Sequence, residues 1–375
     1  MTNGQAADAG QSIESRWSII WNYIKGRPAE VKRAIAVPSG RVIDSGAVTA
    51  PFQPKKQYFA VVINEMFLEQ ARQWWTEYDP MALIVSEFTY DGKRITVPFV
   101  VGPSMIQAKL EQVPNGMAIT DTLVSGIHPY VGGKFALTVI LAQVKRQSHA
   151  TKLLQLVETV GHAFPEGAAL EPYLKVAGAV MDGVDALLGL ADTVPIAGHR
   201  WEYNDGITPW LEPGFFALID SDVKNVNADQ LSVRKGRLFE DVKGNPAAFR
   251  RADFLLYSLR VVETRNDVNE LPFYPLFQKA LQAAASTEAG SWDRAKATLV
   301  TLYQEMLLSP DLTFAQAQQL AADFKTQLVA ANDLAKNLVL GEGKASITLE
   351  GSAFAGDDRA ERLKSLGEIH SLLAL

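Results

Sequence analysis

His199, Asp220 and Asp222 are the residues with which this chain could most readily assemble acid–base chemistry. His199 sits in an apolar-flanked strand pattern, and Asp220-Ser221-Asp222 closes another, with Asp229 nearby. A histidine oriented by a carboxylate can draw a proton from a nucleophile, and such sets are recognised by geometry rather than by chain order. The same aspartates could offer oxygen ligands to Mg²⁺ or Ca²⁺, but the spacing of an EF-type loop is absent. The other histidines, His128, His149, His162 and His370, stand at no metal-ligand spacing from one another. The chain has no cysteine, which excludes disulfides, thiolate metal sites and a cysteine nucleophile.

Two glycine-rich stretches resemble phosphate loops only in part. Gly341-Glu342-Gly343-Lys344-Ala345-Ser346 lacks the earlier glycine and the Ser or Thr directly after Lys, and Gly132-Gly133-Lys134 fails in the same way. Both lead into strand-like residues, whereas a phosphate loop must feed a helix N-terminus. No cofactor and no bound metal are expected.

A second constellation suits binding. Arg200, Trp201, Tyr203, Trp210 and Phe215 crowd around turn signals at Asp205-Gly206 and Pro213-Gly214. Exposed aromatic rings and Arg are what protein interfaces concentrate at their centres. The competing reading has these rings closing one end of the protein's own core.

Bulk properties narrow the partners. Of 375 residues, 47% are hydrophobic and 21% charged, which suits a protein able to bury a substantial core. The net charge of −6 argues against nucleic acid as a partner, since phosphate binding draws on an excess of Lys and Arg. No window holds about 18 uninterrupted apolar residues, and the N-terminus lacks a basic-then-apolar signal pattern, so neither membrane insertion nor export is expected. A cytoplasmic location follows as the default.

The elements that must position these residues follow from periodicity. Ile13, Trp17, Ile20, Trp21 and Ile24 form a helical stripe, and Val37 to Lys56 reads as an irregular connection. Tyr58–Ile63 is a short strand, and Phe67–Tyr78 has helical spacing. Met81–Tyr90 and Lys93–Val101 flank Asp91-Gly92, the dipeptide favoured in a two-residue type I′ hairpin turn. That turn pairs Phe88 with Ile95, Ser86 with Val97 and Ile84 with Phe99, and Pro98 marks an edge strand. Lys134–Val144 is apolar on both faces, as a central strand covered on both sides must be.

Residues 168–192 then place Tyr173, Ala177, Val180, Val184, Leu187, Leu188 and Ala191 on one helical face, with Asp182, Asp185 and Asp192 opposite. This helix is expected to lie across the sheet, after a short helix carrying Leu154 and Val157. Val194–Tyr203, Phe215–Asp220, Leu231–Phe239 and Phe254–Glu263 follow as strands. Beyond Leu271 the pattern is helical: Pro272–Ala285, a helix capped by Ser291, and one opened by a Thr313/Gln316 capping box with Phe314, Ala317, Ala321, Phe324 and Leu328 on one face. A strand-like piece at Ala345–Leu349 and a final helix bearing Leu363, Leu366 and Leu373 end the chain.

The expected fold is α+β: an antiparallel β-sandwich with an inserted amphipathic helix, followed by a C-terminal α-helical portion. Its parts are an N-terminal helical segment at 1–36 and a sandwich at 37–265 with a helical insertion at about 151–191. A helical hairpin at 266–340 and a Gly-rich linker with a terminal amphipathic helix at 341–375 follow. The expected function is a non-catalytic interaction or scaffold protein, a subunit or regulator of a multi-protein assembly, with other proteins as partners. The alternative is a hydrolase or transferase built on His199, Asp220 and Asp222.

Overall fold

The computed structural model describes residues 34–45, 50–69, 77–108, 110–113, 116–146, 149–162, 170–204, 211–220 and 226–340. The helix expected at Ile13–Ile24, the middle of the one expected at 67–78, and everything expected after Leu340 lie outside the described residues. The chain divides into two compact units, Met1–Arg265 and Asn266–Leu375. Its secondary structure mixes helices with largely antiparallel sheets.

The local signal at Asp91-Gly92 produces its turn. Asp91 and Gly92 have φ of 49° and 70°, the paired left-handed geometry of type I′. They join β4 (Tyr78–Tyr90) to β5 (Lys93–Val101), with Phe88 opposite Ile95, Ser86 opposite Val97 and Ile84 opposite Phe99. β4 also pairs with β8 (Lys134–Lys145), which pairs with β9 (Thr193–Asn204), giving a four-stranded sheet in the order β5-β4-β8-β9. β5 is thus an edge, where Pro98 interrupts no ladder, and β8 is central and buried on both faces.

A six-stranded sheet runs in the order β1-β10-β14-β3-β7-β6. Its strands are β1 (Ile35–Val37), β3 (Tyr58–Leu68), β6 (Leu110–Val113), β7 (Gly116–Pro129), β10 (Gly214–Ile219) and β14 (Phe254–Val262). Ile35 and Ala36, expected in a helical segment, are strand because they pair with Ala217 and Phe216. Phe67 and Tyr78, expected to bound a helix, instead belong to β3 and β4, held by pairing with Ala118 and Lys145. The sequence reading missed β7, because Thr, Asp and Ser interrupt its apolar alternation. The register of β3 on β14 shifts between Leu256 and Tyr257, leaving Asn64 as a bulge. Phe59, Val61 and Ile63 precede it in one core and Met66 and Leu68 follow in the same core, so the bulge turns Glu65 and Phe67 to the opposite face.

That opposite face meets a small sheet ordered β13-β12-β11-β2, made of β2 (Val42–Ile43), β11 (Leu231–Arg234), β12 (Arg237–Val242) and β13 (Asn245–Ala248). The single strand expected at Leu231–Phe239 is therefore a hairpin. Lys235-Gly236, with φ of 50° and 74°, makes its turn, and Lys243-Gly244 makes the next. Lys-Gly lacks the Asn or Asp that marks such turns in sequence. β2 pairs with β11 in parallel, within the stretch expected to be irregular.

Helices α1 (Pro103–Ala108), α2 (His149–His162) and α3 (Leu170–Gly189) complete the first unit among the described residues. On α3, Ala177, Val180, Val184, Leu187 and Leu188 are buried in one core with Leu83, Val100 and Ile140 of the four-stranded sheet. Asp182 and Asp185 face out, as helical spacing requires. Ala191, expected on the buried face, lies past the helix end and is exposed. Each buried Val or Leu contributes about 1.5–3 kcal/mol of transfer energy, so this face anchors the helix.

The second unit contains α4 (Tyr274–Ala284), α5 (Ser291–Leu308) and α6 (Phe314–Leu340), and Phe277 of α4 stacks on Phe324 of α6 with ring centroids 3.9 Å apart. Thr313 Oγ1 accepts from the Gln316 N–H at 3.2 Å, the forward half of a capping box. Ser291 is not the cap expected: it is the first helical residue, and its hydroxyl donates to the Ser286 carbonyl at 2.8 Å while Gly290 occupies the N-cap. Phe314 begins α6 and is 58% exposed, outside the apolar face that Ala317, Ala321, Phe324 and Leu328 bury.

Candidate functional site

β9 carries most of the residues singled out in sequence, and its alternation divides them between two environments. His199, Trp201 and Tyr203 lie opposite Val139, Leu137 and Phe135, which puts them on the face turned toward the six-stranded sheet. Trp201 stands 5.6 Å from Phe135 and stacks on Phe216 at 5.6 Å, and Phe216 stacks on Tyr257 at 5.4 Å. This column of rings crosses from β8 and β9 to β10 and β14. The Tyr257 hydroxyl and Trp201 Nε1 are both buried without a hydrogen-bond partner among the described residues. Burial raises the Tyr257 pKa; the neighbouring indole N–H opposes that shift but falls short of hydrogen-bond geometry.

The other face of β9 presents Arg200 and Glu202. Arg200 bonds Glu87 on β4, Thr138 on β8 at 3.0 Å and Glu202 at 2.7 Å. Arg94 on β5 meets the second oxygen of Glu87 at 2.7 Å. Charges from three strands thus form one network around Glu87, whose side chain is 6% exposed. Burial alone would lower the Arg200 pKa, but Glu87 and then Glu202 outweigh it and the net shift is upward. Both Glu87 oxygens are engaged by guanidinium groups, so the network holds strands in register and leaves no idle carboxylate at its centre.

The residues named from sequence fall in different environments. Tyr203 and Phe215 are core residues, Trp201 is half-buried, Arg200 is locked in the ion network, and Trp210 lies outside the described residues. An interface centred on those rings would need them in solvent, and the packing between sheets keeps Tyr203 and Phe215 from it. His199 is on β9 of one sheet, whereas Asp220 follows β10 of the other, its N–H bonded to the Asp253 carbonyl at 2.7 Å. Asp222 is outside the described residues. Among the described residues no three His, Asp or Glu side chains are grouped to hold a metal ion.

Two titratable groups sit deeper: Glu65, which sequence reasoning passed over, and His128, which was expected in a loop and instead lies in β7. Glu65, fully buried, accepts from the Leu238 N–H at 2.8 Å and from Arg250 at 2.7 Å. Desolvation is the largest influence on Glu65 and raises its pKa, against the lowering exerted by the Leu238 N–H, Arg250 and Arg237. Arg250 also lies 4.8 Å over the Phe67 ring. His128 stacks on Phe88 at 5.0 Å and tilts against Phe59, and burial, with Arg265 adding to it, pushes its pKa down to about 3. The available signal for Glu65 was a polar Asn-Glu pair inside an otherwise apolar strand run, YFAVVINEMFL.

No protein-family model, curated protein or solved structure matches this chain. Among the described residues the groups gathered around β9 are paired ions on one face and packed rings on the other.

Proposed function

We propose that this protein is a non-catalytic interaction protein, a subunit or regulator of a multi-protein assembly in the cytoplasm. In this reading the two larger sheets form an antiparallel β-sandwich as a rigid body, and the helical unit carries the docking surface. The observation that supports it is at the connection between α5 and α6. Leu308 is 82% exposed and Phe314 58% exposed, while the residues between them, Asp311, Leu312 and Thr313, are buried and hold the connection in place. Two large apolar side chains presented on an ordered helical turn are suited to fill a partner's pocket, where such anchors supply most of the binding energy.

A protein partner fits the net charge of −6 better than nucleic acid does. No helix among the described residues is long and apolar enough to cross a membrane.

Copurification of the tagged full chain, with partners identified by mass spectrometry, tests the reading. The double variant Leu308→Asp/Phe314→Asp, whose changes are at exposed positions, should fold with an unaltered melting curve and lose a stoichiometric partner that the wild type retains. Equal recovery by both proteins would remove the helical turn from consideration. Loss instead in a Trp201→Ala/Trp210→Ala variant that keeps the wild-type melting curve would return the interface to those two residues.

A further inference from the structure

The segment that supplies three of the small sheet's strands, with its turns and the residues just after it, carries a charge pattern opposite to that of the whole chain. Residues 231–251 hold six Lys and Arg against two Asp and Glu, in a protein of net charge −6. Two of these cations are committed internally: Arg250 to Glu65 and Arg251 to Glu240 at 3.0 Å. Arg234 and Lys235, at the β11–β12 turn, have no such ion pair among the described residues. Arg234 lies directly opposite Arg237, and Lys235 occupies the turn between them. Like charges facing each other across a strand pair destabilise it, so local stability does not account for this choice.

Neighbouring groups leave this turn positively charged. Among the described residues neither Arg234 nor Lys235 has a carboxylate partner, and Asp44, which follows the Ile43 paired with Arg234, forms no ion pair with either. Arg237 contributes to the field at Glu65. Val233 and Leu238 face the core, which turns the Arg234/Arg237 and Ser232/Phe239 pairs to the other face, where Ser232 is buried and the Phe239 ring half-buried. The Arg234 guanidinium lies 5.9 Å over the Phe239 ring, and its Nε is buried without a hydrogen-bond partner among the described residues. A ring backing the guanidinium limits its motion, so less entropy is lost when the group engages an anion. The turn backbone is held as well, by Lys235 N to the Ile43 carbonyl at 3.2 Å and Gly236 N to Ser45 Oγ at 3.2 Å.

We infer that Arg234 and Lys235, backed by Phe239, form a docking face for an acidic peptide segment of a partner protein. Carboxylates spaced along an extended chain match the Arg234 guanidinium fork and the Lys235 ammonium group. An apolar residue between the carboxylates would rest on the Phe239 ring. The inference builds on the interaction reading above but uses a different surface, in the other unit, so the two can fail separately.

Fluorescence anisotropy of a fluorescein-labelled decaglutamate peptide, titrated with the full chain at low salt, tests it. Saturable binding should weaken by about tenfold or more in Arg234→Glu/Lys235→Glu, the loss expected for charge-assisted contacts. Arg234→Lys/Lys235→Arg should retain binding within about threefold, and raising salt from roughly 50 to 300 mM should weaken it. Lys235→Glu alone, at an exposed turn, repeats the test should the double variant melt early. Three results would overturn the inference: no saturable binding by the wild type, equal weakening by Lys243→Glu at the opposite end of β12, or tighter binding of a labelled single-stranded oligonucleotide abolished by the same double variant.

Discussion

Gly183 of α3 sits directly against Val157 of α2: a Cβ at residue 183 would fall 2.2 Å from Val157 Cγ2. The two helices cross at this point, and the backbone of one fills the space a side chain would need. Gly183→Ala should therefore destabilise the first unit. Overpacking costs about 1–3 kcal/mol, against a gain of about 1 kcal/mol in helix propensity. Urea denaturation of Gly183→Ala, Val157→Ala and the double variant checks this. The double variant should recover most of what the glycine substitution loses, because the added methyl then occupies the vacated space.

Glu158, one residue further along α2, joins that helix to the start of α1. Its carboxylate accepts from the N–H groups of Gly102 at 3.2 Å, Ser104 at 3.1 Å and Met105 at 2.7 Å. Glu158→Gln places an amide donor where backbone donors already point. The expected loss is about 1–3 kcal/mol, the cost of stranding buried polar groups. Hydrogen exchange should show faster amides at Gly102, Ser104 and Met105, with those of β8 unchanged.

His128 makes the first unit sensitive to acid. Its ordinary pKa of 6.5 is pushed down to about 3 in the fold. Below pH 6.5 the unfolded chain takes up a proton that the folded chain refuses, so stability is complete above that pH and falls as pH drops toward about 3. The slope from this group approaches about 1.4 kcal/mol per pH unit. His128→Phe keeps an aromatic ring between Phe59 and Phe88 and removes the titration. Urea midpoints from pH 7 to pH 4.5 should fall more steeply for the wild type than for the variant, and parallel curves would contradict the assignment.

Glu65 and Arg250 form a pair in which the carboxylate is fully buried. Arg250→Met should cost about 3–5 kcal/mol, chiefly by leaving that charge uncompensated. Adding Glu65→Gln should recover much of the loss. Desolvation already raises the Glu65 pKa, so in Arg250→Met the carboxyl takes up a proton more readily still. The deficit of the single variant should therefore shrink as pH is lowered from 7 toward 5, and chemical denaturation at both pH values measures it.

Sequence alone determined the features that arise within a few residues or from one period. Asp91-Gly92 specified the β4–β5 turn and its register, because few dipeptides tolerate two successive left-handed residues. The double-faced apolar run of β8 specified a central strand, and the 3.6-residue period of α3 specified its buried stripe. Pairing among distant segments decided the rest. The bulge at Asn64 is visible only against β14, yet it determines which core receives Glu65 and Phe67. The aromatic content of β9 was equally evident, but only the facing six-stranded sheet, with Phe216 and Tyr257 beside Trp201, turned its rings into packing rather than surface. A local pattern states that a strand has two faces; the free energy of burying one against a partner far along the chain selects which becomes the interior.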